Sequence, residues 1–167
     1  MTDELRESAL QLLQATPEIL RLTIERFPAS ALESPADGDW SPKDVAAHLV
    51  LSGQKGAFTR IRAIPRGGSS LLPNIDENEE LARSGLRHAE MATILNELAK
   101  QRAEDVEWLR ALGEGALRQT GQHSEVGPVS GEELLYHAAN HDCLHLRQLL
   151  GMLQQQFDPR RGPMRIY

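Results

Sequence analysis

The chain has a single cysteine, Cys143, among its 167 residues. That excludes an internal disulfide framework and suits a reducing compartment such as the cytosol. Aromatic residues make up only 4% and the formal net charge is −6. A nucleic-acid surface needs a basic stripe or a set of stacking aromatics, and neither stands out. The locally basic tail DPRRGPMRIY reads as a solvated or packing end. No apolar run approaches the roughly 20 residues that cross a bilayer. The start, MTDELRESAL, carries acid early and lacks an apolar stretch, so no signal peptide is expected. Two catalytic patterns are also missing. Without G-x-S-x-G there is no serine nucleophile elbow, and without any Glu-x-x-His there is no di-iron carboxylate bundle.

What is present fits one soluble domain covering residues 1–167, long enough to bury roughly two thirds of its unfolded surface. Four amphipathic segments can be read along it. The first, about residues 3–26, sets Leu5, Ala9, Leu12 and Leu13 on one face, followed by Leu20, Ile24 and Phe27. Thr16-Pro17 marks either a kink or a fresh start capped by Thr16. After the loop ESPADGDW, Ser41 is an N-cap with Pro42 at the first position and Asp44 at N3, opening a helix to about Ile64. PRGGSSLLPNI reads as a long surface loop, a lid or rim. Asp76 with Glu79 caps a long helix to about Leu112, its apolar row Met91, Leu95, Leu98 and Leu109 interrupted by Arg102. A second long connection, GEGALRQTGQHSEVGPV, leads to Ser130 and Glu133, a capping box that launches the last helix through about Gln155. No β-alternation appears. The expectation is an all-α protein, a four-helix bundle.

The last helix carries HAANHDCLHLRQL, three of the chain's six histidines at spacings of four. At about 100° per residue, Leu134, Ala138, His141, His145, Leu149 and Met152 share a stripe. His141 and His145 lie within roughly 20° of its centre and His137 about 60° off. Cys143 falls on the opposite side. Burying two imidazoles side by side is costly unless both are paired, and one metal ion satisfies both. His137 and His145 are about 12 Å apart along the axis, so one i, i+4 pair must be chosen. The third ligand then comes from another helix. His48, on the inner face of the second helix, is the leading donor, with Asp44 one turn earlier as a partner for its other nitrogen. His88 and His123 are further candidates, each otherwise an exposed or loop histidine.

His141-Asp142-x-x-His145 also reads as a variant of the zinc-protease helix motif, in which the acid is a general base. Such an enzyme takes a downstream third ligand, and residues 146–167 hold no His or Glu. Asp142 lies about 80° from the core line, which makes it a weak catalytic candidate and otherwise a solvent-facing acid on the helix flank.

WSPKDVAAHL resembles the W-S-x-x-x-h-x-x-H-L entry to helix two of the DinB-like superfamily, and HSEVGPVSGEELLYHAANHDCLHLRQL resembles that family's ending. The two stretches stand in the family's order with a long helix between them. The resemblance implies a DinB-like four-helix bundle with a divalent metal on His48, His141 and His145, leaving His137 as a neighbour and His123 with no settled role. It also implies a common homodimeric state. Better-understood relatives are thiol-dependent transferases and isomerases.

The expected function is therefore a cytoplasmic, metal-dependent thiol S-transferase acting on small electrophiles. Zinc or nickel would be the ion, with a low-molecular-weight thiol as cosubstrate. The alternatives are a metal-dependent hydrolase and a non-catalytic stress-response binding module in which the ion staples two helices. Nucleic acid and membrane are not expected partners.

Overall fold

Helix α1, Thr2–Ile24, buries Ala9, Leu10, Leu13, Leu20 and Ile24. In the computed structural model, residues 2–33, 40–64 and 71–166 are described. Leu5 is exposed and Leu12 only partly buried, contrary to the expectation. At about 100° per residue they fall roughly 80° and 100° from the line through Leu13, whereas Leu10 and Leu20 lie nearer to it. Pro17 does not restart the helix, which is continuous through it. Thr16 is buried mid-helix and its hydroxyl donates to Leu12 O at 3.0 Å. Apolar packing on both sides of Pro17 offsets its lost hydrogen bond.

Helix α2, Pro42–Lys55, begins as expected: Asp44 N donates to Ser41 Oγ, and Ser41 N donates to Asp44 Oδ2. It stops at Gly56, and α3, Ala57–Ala63, continues from there. A Cβ at Gly56 would lie 2.3 Å from Ser52 O, so only glycine fits this break. Asp76 caps the next helix through Glu79 N. The single long helix expected there is two, α4 (Glu77–Arg83) and α5 (Met91–Ala111). Gly85 separates them with φ +72°, a left-handed conformation that ends helices. A short α6, Glu114–Leu117, precedes α7, Gly131–Phe157, which opens with the Ser130–Glu133 box.

The two long connections are not wholly irregular. Leu71–Leu72 is a strand, β1, parallel to β2 (Thr120–His123), which pairs antiparallel with β3 (Gly127–Ser130). In register, Leu72 faces His123 and Gly121 faces Val129. Strands of two to four residues that include Gly and Pro carry almost no alternation signal, and this sheet forms because Leu72 and His123 are buried by the bundle. Residues 65–70 of the expected lid or rim lie outside the described residues, as do residues 34–39 of the earlier loop.

The bundle consists of α1, the α2–α3 pair, α5 and α7. Helix α1 packs on α5 and α7, α2 on α5, and α3 on α7. Its core has two apolar halves. One gathers Leu20, Ile24, Leu49, Leu98, Leu149 and Met152; the other gathers Leu10, Leu13, Phe58, Val106, Leu109 and Leu135. Between them, at one level on three helices, sit buried Thr16, Arg102 and Asp142. Arg102 Nη2 donates to Asp142 Oδ1 at 3.0 Å, and the guanidinium lies over the Phe58 ring at 4.8 Å. Asp142 is 1% exposed, so the expectation of a solvent-facing acid is overturned. Its helix is packed on two sides, and the second stripe, Leu135, Ala139, Asp142 and Leu149, is buried as well. Among the described residues, no helix is long and apolar enough to cross a membrane.

Removing one partner of a buried ion pair strands the other charge. Asp142→Ala should therefore lower unfolding free energy by about 3–5 kcal/mol in urea denaturation, while Arg102→Met with Asp142→Leu recovers most of the loss. A single-variant loss below about 1 kcal/mol would show that the pair does not hold α5 to α7.

Candidate metal centre

Two helices bring the site together. Val45, Ala46, Ala47, Leu49 and Val50 are all buried around His48, because α2 is enclosed on nearly every side. That helix presents a ring that is 2% exposed. One turn of α7 presents His141 and His145 to it. His48 Nε2 lies 3.0 Å from His141 Nε2, and His145 Nε2 lies 3.2 Å from the same atom. The three donor nitrogens all fall within 4.8 Å of one another.

The proton inventory tests whether these rings suit a metal. His145 Nδ1 lies 2.8 Å from Gln148 Oε1, an acceptor, so Nδ1 carries the hydrogen and Nε2 holds a bare lone pair. His141 Nε2 has at most one hydrogen when neutral, and it touches two other nitrogens. If it donates to one, it has no lone pair with which to accept from the other, and that second contact stays unsatisfied. If it accepts from His48, the contact with His145 sets two lone pairs against each other. A divalent cation bonded to all three nitrogens removes the conflict. The residues fit the ion.

Burial, and then the rings of His145 and His141, push His48 down to about 3 from its ordinary 6.5. His141 is likewise pushed down to about 3 by burial, then by His145, His137 and Arg102. Both rings are thus neutral at neutral pH, the form that ligates metal.

Surrounding groups hold the rings in place. Trp40 stacks on His145, centroids 5.9 Å apart and planes 13° apart, and tilts against His48 at 4.7 Å. Its Nε1 donates to Asn78 Oδ1 at 2.9 Å, tying the site to the first turn of α4. On that turn, Glu77 places Oε2 3.9 Å from His48 Nε2 and Oε1 3.9 Å from His141 Nε2. Asp44 is not the partner of His48. Its carboxylate serves Ser41 and Arg87, the latter at 2.8 Å.

The other histidines stay outside the trio. His137 is exposed with its ring centroid 6.2 Å from that of His141. His123 is buried on β2, its Nδ1 accepting from Glu125 N at 3.2 Å. His88 is exposed in the turn before α5. Cys143 is exposed on the far side of α7 from His141 and His145. Asp142 reaches away from the rings toward Arg102.

A cavity of about 420 Å³ opens on His48 and His141, within the size range of small-molecule sites. Phe58, Leu134 and Val129 form apolar wall, and Arg60, Glu77 and His123 supply polar groups. Asn74, Ile75 and the β2–β3 connection make its rim, so part of the expected rim is in place. Sequence reasoning assigned no role to Trp40, although it begins the quoted helix-two motif, and it missed Glu77 altogether. Glu77 follows directly on the Asp76 cap of a helix leaving the rim loop, the one local hint of its position.

A four-helix bundle with three converging imidazoles from its second and last long helices defines a class of metal-binding helical proteins. Residues 6–149 match the model of the DinB superfamily, and the chain belongs to that superfamily. Among solved structures it resembles YfiT from Bacillus subtilis, described as a probable metal-dependent hydrolase with an unusual four-helix bundle topology. The two are 19% identical with a TM-score of 0.84, over 93% of this chain and 90% of that one. It also resembles a mycothiol-dependent maleylpyruvate isomerase at 15% identity and TM-score 0.68, over 86% of this chain and 60% of the isomerase. A histidine-to-alanine variant of that isomerase matches similarly, at 14% identity. These likenesses are of fold. No curated protein sequence matches the chain.

The lowered histidines set a pH dependence for the metal-free protein. An unfolded chain takes up protons on both rings through pH 6.5, whereas the folded chain resists until about 3. The unfolded state binds more protons in that window, so stability is present above 6.5 and is lost as pH falls below it. Chelator-treated protein should be measurably less stable in urea at pH 5 than at pH 7.5, and His48→Gln should flatten the slope. Equal slopes in the two proteins would remove these rings as its source.

Proposed function

We propose that this protein is a metal-dependent thiol S-transferase whose ion is held by His48, His141 and His145, with zinc or nickel as the metal. The observation that carries the reading is the three-nitrogen convergence at the edge of an apolar-walled cavity. When bound, the ion lowers the pKa of a thiol seated against it and supplies a thiolate nucleophile at neutral pH. This removes the need for a protein nucleophile, and the exposed Cys143 lies on the wrong face to be one.

The chain's own residues do the rest. His145, its Nδ1 hydrogen held by Gln148 and its face covered by Trp40, keeps Nε2 aimed at the site. Phe58, Leu134 and Val129 exclude water from the electrophile. Arg60 donates one hydrogen to Pro73 O at 2.9 Å, and a guanidinium has further donors to hold a carboxylate of a small thiol cosubstrate. A reducing, cytoplasmic setting suits both that thiol and an unpaired Cys143, and a homodimer is part of the proposal. A second reading, metal-assisted hydrolysis with water in place of the thiol, is favoured by the close fold match to YfiT.

Purified protein should consume monochlorobimane in a glutathione- or bacillithiol-dependent reaction that chelation abolishes. His145→Ala should lose at least about tenfold in rate, the usual scale for disturbing a metal site. Equal rates in wild type and variant would remove the transferase reading. Chelation that lowers Tm while no thiol or ester substrate turns over would favour an ion that only staples α2 to α7.

A further inference from the structure

Glu77 has an unusual position. Its carboxylate oxygens lie one opposite each of two imidazole nitrogens, both at 3.9 Å. The nitrogens that face it are those whose lone pairs converge on the site. One carboxylate thus faces two of the three nitrogens of the candidate centre while remaining half exposed to water. Arg60 attracts this carboxylate from the cavity wall, and positive charge in the space between Glu77 and the two rings would draw it to the nitrogens as well.

Several other features place the residue. Asp76 caps α4 and so fixes where its first turn starts. Trp40, lying over both His48 and His145, donates to Asn78, the residue next to Glu77. The neighbouring acids of α4 are engaged elsewhere: Glu79 pairs with Arg83 and Glu80 with Lys55. Glu77 alone of the three turns to the histidines.

We propose that Glu77 is a fourth, exchangeable protein donor to the metal centre. This rests on the three-histidine reading and deepens it. Three neutral imidazoles leave the ion's double positive charge uncompensated, and one carboxylate halves it. Because Glu77 is half exposed and lines the cavity, its oxygen occupies the side from which a cosubstrate enters. An entering thiolate displaces it, so the same residue raises metal affinity and lowers affinity for the thiol. A general base would do neither.

The test uses cobalt(II) as the probe, titrated into the metal-free full-length protein and followed by its visible absorption, then glutathione added to the loaded protein. Glu77→Gln should weaken cobalt binding at least about tenfold and change the intensity of the visible bands, while the same protein binds glutathione more tightly than wild type. Glu77→Asp should recover part of the cobalt affinity. Glu79→Gln, which removes a charge from the same turn, should match wild type in both titrations, and thermal melts of the metal-free variants check the fold. Cobalt affinity and spectrum unchanged in Glu77→Gln would overturn the proposal while leaving the histidine centre intact. Weakened cobalt binding with equally weakened glutathione binding would overturn the exchange. Wild-type protein that takes up no cobalt would instead remove the three-histidine centre itself.

Discussion

The rotation of α7 about its own axis is the constraint on which the site depends, and the buried Arg102–Asp142 pair sets it. His141 and Asp142 are adjacent, so their side chains leave the helix about 100° apart. With Asp142 hydrogen-bonded to Arg102 on α5 at 3.0 Å, His141 is left directed at α2, where His48 waits. A different rotation would leave Asp142 or Arg102 charged in an apolar interior. Hydrophobic packing alone would not enforce this, because leucine and alanine rows tolerate sliding far better than an ion pair tolerates separation. The pair also lies at the level where the two apolar halves of the core meet. It fixes axial register together with rotation. Such pairs add little net stability over apolar replacements, and their contribution here is to select one arrangement.

From that register the chemistry of the rings follows. Burial, and then the neighbouring rings at contacts of 3.0–3.2 Å, hold His48 and His141 against protonation. The fold thus holds nitrogen lone pairs ready at a point with no hydrogen-bond arrangement able to satisfy all of them. Gln148 and Trp40 sharpen this by fixing the tautomer and plane of His145. Energy stored in an unsatisfied polar cluster is recovered when a cation binds, which links occupancy of the site to stability of the α2–α7 contact.

The sequence made much of this legible, and the failures have physical reasons. Helix starts were readable because capping is local: Ser41, Asp76 and Ser130 each bond the backbone three residues on. Helix interruptions at Gly56 and Gly85 were not, since a glycine within a helical pattern is tolerated often and its break depends on what surrounds it. The sheet was invisible because its pairing is non-local and its strands are short. His48, His141 and His145 were found by residue type, stripe position and family resemblance together. Asp142 escapes a reading built on a single stripe, because Leu135, Ala139, Leu146 and Leu149 mark a second stripe through it. Glu77 belongs to no motif. It lies near the rings because α4 starts beside the cavity after β1 has paired with β2, a non-local placement that no spacing rule encodes.

The surroundings of His48 and His141 also bear on why the centre faces a cavity. A metal that only joined two helices would be served by ligands in mid-bundle, closed off by side chains on every side. Here Gly56 and Ala57 at the α2–α3 break, Asn74 and Ile75, and Glu125 and Val126 of the β2–β3 connection line space next to His48 and His141. A continuous α2–α3 helix would carry side chains straight across that space. The break is local: Gly56 N still donates to Ser52 O at 2.8 Å and Arg60 N to Gly56 O at 3.0 Å. A cavity bordering two of the three converging imidazoles is the opening that the proposed cosubstrate requires, and an ion that only stapled α2 to α7 would not need it.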